Sequence, residues 1–129
     1  MVTPQARSDL LSATGCESIA AGVSWDAVRV PRNIGLFALD ILGQRSGAVI
    51  DDGTALYWLL PLHSVPQWDI VGTRVLRDGE ALSIPPARRT VGPGPHWRIC
   101  PGEDNVLTPA DVLRAAVEDA CTPAGSETR

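Results

Sequence analysis

The sequence predicts a small α+β domain: an antiparallel or mixed sheet with helices packed on one face. Three observations carry that reading. Asp52-Gly53, a strong turn signal, lies between two apolar, β-rich runs. Strand-like stretches follow one another without regular alternation with helices, which argues against a parallel βαβ fold. The chain has 129 residues, 44% hydrophobic and 20% charged, the size and make-up of a single core.

The domain is expected over residues 14–121, with flexible termini at 1–13 and 122–129. Thr14 and Glu17 have capping-box spacing, and Cys16, Ile19 and Ala20 can share one apolar face. A short helix is therefore expected over 14–21, stopped by Gly22. Trp25 to Pro31 is rich in aromatic and β-branched residues and reads as a strand that Pro31 ends. Ile34, Phe37, Ala38, Ile41 and Leu42 fall at helical spacing over 33–42, with Gly43 as terminator. Residues 47–51 and 55–60 form the hairpin, with a type I′ turn expected at Asp52-Gly53. Residues 61–79 carry Pro61, Pro66 and Gly72 and show no regular pattern. Asp78-Gly79 marks a turn into a short strand at 80–84; residues 85–95 form a Pro/Gly/Arg loop; His96–Ile99 is a strand. Thr108 as N-cap, Pro109 and Asp111 start the last helix, whose apolar face is Val112, Leu113, Ala116 and Val117.

Composition narrows the function. A net charge of −4 argues against a surface built to coat phosphates, and leaves a local basic patch open. All eleven cationic side chains are Arg, which fits high-GC coding and also planar, bidentate recognition of phosphate or carboxylate. Cys16, Cys100 and Cys121 form no CxxC pair, so zinc and redox motifs are unsupported and reduced, mostly buried thiols are expected. No apolar run reaches the roughly 18 residues of a membrane span, and no signal peptide is visible, so a cytoplasmic protein with no membrane partner is expected.

Four features can carry chemistry. Asp51 and Asp52 are two acids at a strand end that could hold a divalent cation, although neighbouring strand residues face opposite ways and a turn explains them as well. Arg88, Arg89 and Arg98 could form an anion-binding corner, with Gly92 and Gly94 permitting close backbone approach. His63 and His96 could support acid–base work, but no nucleophile motif accompanies them, and a His beside Trp97 also suits a structural role. Trp25, Trp58 and Trp97 are expected in the core, whereas Trp68, in the irregular middle, is a candidate for stacking or partner contact together with His96.

The order of short blocks resembles the bifunctional DNA primase/polymerase (prim-pol) domains of the archaeo-eukaryotic primase superfamily, in particular short actinobacterial proteins of that type. Trp25 to Pro31 is similar to the family's Gly-Trp-x-Val-x-Pro strand. Ser46 to Asp52 is similar to the strand that carries its first acidic motif, and Leu56 to Trp58 to the strand that follows. Gly79 to Pro86, then Gly92 to Trp97, resembles the segment with the family's Ser-x-His motif. The resemblance spans residues 14–100 and implies a truncated prim-pol-like fold. The departures are specific. Adjacent acids stand where Asp-x-Asp is expected, Ala87-Arg88-Arg89 stands where Ser-x-His is expected, and Asp69 and Asp78 are unanchored as a third acid. The resemblance therefore implies a catalytically degenerate relative.

The expected function is a non-catalytic binding module that takes a nucleotide, nucleic acid or protein partner through an Arg-containing loop. Arg88, Arg89 and Arg98 would contact the anion, and Asp51 and Asp52 would be the remnant of a metal site. One alternative is a minimal metal-dependent primase or nucleotidyltransferase using Asp51, Asp52 and His96, the only reading that requires magnesium or manganese. The other is a purely protein–protein regulatory module docking around Trp68.

Overall fold

The computed structural model describes residues 17–22, 25–64, 68, 70, 72–76, 79–85, 89–92, 94–101 and 106–121. The elements in order are β1 (Glu17–Ala20), β2 (Asp26–Pro31), α1 (Arg32–Leu42), a 3-10 turn (Gly43–Arg45), β3 (Val49–Asp51), β4 (Ala55–Leu60), β5 (Arg74–Leu76), β6 (Ala81–Ile84), β7 (His96–Ile99) and α2 (Ala110–Cys121). Five strands form one sheet in the order β5-β2-β4-β3-β7, and β1 and β6 form a separate two-stranded ribbon. Every pairing is antiparallel. β2 and β3 both run opposite to β4, which lies between them, and α1 makes the crossover from one to the other.

The alternation of strand side chains sorts the core into two layers. Val28, Val30, Val49, Leu56, Trp58 and Leu60 face α1 and α2, where they meet Ala38, Leu42, Leu113, Ala116 and Val117. Ala27, Ile50, Leu59 and Trp97 face the other way, against Trp25, Leu82, Ile84 and Val106. Both helices therefore cover one face, as an α+β fold requires. Because the β1–β6 ribbon side also packs against the sheet, β4 is buried along nearly its whole length rather than at every second residue.

Several expectations need correction. Residues 17–20 are a strand and not part of a helix: β1 pairs with β6, Ile19 opposite Leu82. A three-residue strand, β5, lies in the stretch read as irregular and pairs with β2. The hairpin turn has Gly53 at φ +94° while Thr54 is not in the positive region. Type I′ over Asp52-Gly53 needs positive φ at both residues, and Asp52 is not in the positive region, so the expected turn is not formed. Thr108 is fully buried, and its hydroxyl accepts from the Gly47 N–H at 2.8 Å, tying the loop before α2 to the start of β3. On α1 the buried positions are Gly35, Ala38 and Leu42, while Phe37 and Ile41 are exposed. Cys100 is exposed and Cys121 half-buried; Cys16 lies outside the described residues. No helix among the described residues is long and apolar enough to cross a membrane.

Candidate functional site

The site forms where the end of β3, the start of α1 and the start of β7 meet. Asp51 closes β3 opposite Leu56 on one side and His96 on the other. Its carboxylate is fully buried on the helix side of the sheet. Gly53 N–H donates to Oδ1 at 2.8 Å, the hairpin turn's own contribution. Arg32 Nε donates to both carboxylate oxygens at 3.3 and 3.2 Å. His96 Nε2 and Arg98 Nη1 lie 3.7 and 3.8 Å from Oδ2.

Local backbone geometry explains why these groups converge. Arg32 is the first residue of α1, and its backbone N–H donates to the Thr54 carbonyl, which fixes the helix start over the hairpin. In β7, Trp97 pairs with Ile50 and Ile99 with Val49, so Arg98 is an extra residue in the ladder. Strand alternation already places His96 and Arg98 on the face of β7 that Asp51 shares, and the bulge returns Ile99 to that same face opposite Val49. His96 Nδ1 is 2.9 Å from the Gly94 carbonyl, so its ring is held between that oxygen and the Asp51 carboxylate.

The charge balance is lopsided. Two guanidinium groups face one carboxylate, leaving about one positive charge in excess before His96 is counted. Arg32 and Arg98 are each 41% exposed at the side chain. Beyond their contacts with Asp51 their remaining N–H groups have no partner among the described residues. The positive end of the α1 dipole adds to this, since its first turn holds no acid and no side chain caps it. The arrangement is able to hold an anion.

Asp52 turns to the opposite face. Its Oδ1 accepts from the Thr54 and Ala55 N–H groups and the Thr54 hydroxyl, and its Oδ2 from the Tyr57 hydroxyl. Burial pushes its carboxyl up, but these hydrogen bonds together outweigh burial and hold it below its ordinary value. Asp51 and Asp52 thus occupy two environments and do not form a shared ligand set. Among the described residues no three His, Cys, Asp or Glu side chains form a metal-holding group.

The other candidates are placed as follows. Arg89 is half-buried, and its carbonyl accepts from Trp97 N–H at 2.7 Å, so its backbone runs along the outer edge of β7. Arg88, Asp69 and Asp78 lie outside the described residues. Trp68 is half-buried against the helix-side core, donates to Thr73 Oγ1 at 2.7 Å and has Arg114 over its ring. Trp25, Trp58 and Trp97 are in the core. His63 is exposed at φ +60°, and its N–H donates to the buried Asp26.

Arg32 is the member of this cluster that the sequence does not single out. The available signal was its position: a cation in the first turn of a helix opposes the helix dipole and needs a counter-charge from elsewhere. No protein-family model, curated protein or solved structure matches this chain.

Proposed function

We propose that this chain is a non-catalytic binding module that takes a small phosphate-bearing ligand at Arg32, His96 and Arg98. The observation that carries the reading is the buried Asp51 carboxylate faced by two half-exposed arginines and a histidine, with cationic donors left over. Asp51 serves here as an internal counter-ion that orders the arginine side chains before the ligand arrives, which reduces the entropy cost of binding. The net charge of −4 favours a small anion over a long polyanion, since the rest of the surface repels a nucleic-acid backbone. The absence of a shared Asp51–Asp52 ligand set among the described side chains supports a binding role over two-metal nucleotidyl transfer, which needs convergent carboxylates.

Isothermal titration calorimetry with inorganic phosphate tests the reading. Arg98→Gln is the informative variant, because Arg98 is farther from Asp51 than Arg32 is and its loss leaves the closer pairing in place. Affinity is expected to fall at least tenfold in Arg98→Gln and to stay unchanged in Arg114→Gln, a control for general charge. Equal affinity in the wild type and Arg98→Gln would remove the cluster from the account.

A further inference from the structure

The cluster has a neighbour of different character. A groove of about 450 Å³ runs between α1 and β7, lined by Leu36, Leu39, Asp40, Gly43, Arg98 and Ile99. The groove is shallow and open to solvent, so a body lying in it is covered on one side only. Leu36, Leu39 and Ile99 are half-buried and pack on the helix-side core, so the groove is backed by fixed apolar side chains. Arg98 belongs to both places: it lines the groove and its guanidinium lies 3.8 Å from Asp51.

We infer that the ligand is an organic phosphate monoester whose phosphate sits at Arg32, His96 and Arg98 and whose apolar or aromatic body lies in the α1–β7 groove. The inference rests on the anion-binding reading above and adds the nature of the rest of the ligand. Charge sets the orientation. The cationic end is at the cluster, and the groove's own acid is Asp40, which is exposed. A carboxylate on the ligand body therefore meets a like charge in the groove, whereas a neutral body does not. The occupant is thus anionic at one end only.

Calorimetry with three probes decides the matter: inorganic phosphate, phenyl phosphate and 4-carboxyphenyl phosphate. Phenyl phosphate is expected to bind at least tenfold tighter than inorganic phosphate, and 4-carboxyphenyl phosphate more weakly than phenyl phosphate. Leu36→Gln, which makes the groove polar without changing its charge, should bring the phenyl advantage below twofold while inorganic phosphate binds as before. Asp40→Asn, at an exposed position, leaves the fold untouched and should narrow the gap between the two aryl probes. Equal affinity of the wild type for phenyl and inorganic phosphate overturns the groove assignment and leaves the anion site standing. A phenyl advantage that survives Leu36→Gln, or an aryl gap that Asp40→Asn leaves in place, also overturns it. Failure of inorganic phosphate to respond to Arg98→Gln overturns the anion site itself.

Discussion

Asp51 shows how a buried charge is maintained at the scale of one residue. Fully removed from water, its carboxylate is kept by the Gly53 N–H, the two bonds from Arg32 and the nearby His96 and Arg98. Truncation leaves the Gly53 N–H without its acceptor and breaks charge-assisted bonds, while the half-exposed arginines stay hydrated, so the cost is about 1–3 kcal/mol. Asp51→Ala is expected to lose about that much in urea unfolding. Asp51→Asn keeps an acceptor for Gly53 and should lose about 1–2 kcal/mol. Phosphate affinity should move the other way: Asp51→Asn keeps a side-chain oxygen that still accepts from Arg32 and holds it in place, while the negative charge beside the bound anion is gone, so binding is expected to tighten severalfold in the less stable protein. A purely structural ion pair would show the stability loss with no gain in phosphate affinity. The chemistry of Asp51, His96 and Arg98 was legible as residue types. Their convergence was not, because it depends on the register between β3 and β7, which sets His96 opposite Asp51 and has no local signature.

Elements set the distances that the residues use. The first turn of α1 comes close to β4 because Gly35 has no side chain: a Cβ there would be 2.9 Å from the Leu56 side chain. Alanine would gain about 0.5–1 kcal/mol in backbone terms relative to glycine in a helix, but the overlap with a fully buried Leu56 works against it. Overpacking a core contact costs about 1–3 kcal/mol, so Gly35→Ala is expected to be net destabilising by about 1 kcal/mol or more. Trimming the obstruction in Gly35→Ala/Leu56→Val should recover part of that loss in the same unfolding assay, a non-additive result expected of contacting residues. The hairpin, the α1 and α2 stretches and the β6 and β7 strands were legible from periodicity and turn residues. β1 was not, because Ile19 and Ala20 suit either a short helix or a strand, and the choice is made by β6, some sixty residues away. β5 is three residues long and exists through its pairing with β2. Phe37 and Ile41 fit the helical spacing but lie on the edge of the apolar stripe that the sheet does not reach.

At the scale of the whole molecule, the Asp52–Tyr57 pair on the ribbon-side face is expected to make stability depend on pH at both ends of the range. Burial pushes the Asp52 carboxyl up, but hydrogen bonds from Thr54, Ala55 and Tyr57 bring it below 3.8. Its proton is therefore bound more weakly in the folded than in the unfolded chain. The stabilisation it provides is present above pH 3.8 and is lost as pH falls through the lowered folded value. Tyr57 is shifted up from 10.0 by burial and by Asp52, against the opposing Arg29. Its proton is bound more tightly in the folded chain, so folding is undisturbed below pH 10.0 and weakened as pH rises from there through the raised folded value. Urea unfolding midpoints measured from acid to alkali should thus decline at both ends. Asp52→Ala is expected to cost about 1–2 kcal/mol near neutrality, with the deficit shrinking as pH falls from 3.8 through the lowered folded value, where the folded wild-type carboxylate is protonated in turn. Tyr57→Phe should flatten the alkaline decline. It should also weaken the acid-side contribution of Asp52, because one of the bonds that lower its pKa is gone. An Asp52→Ala deficit that is constant from neutral pH to acid would show that this carboxylate acts only through packing and not through its charge.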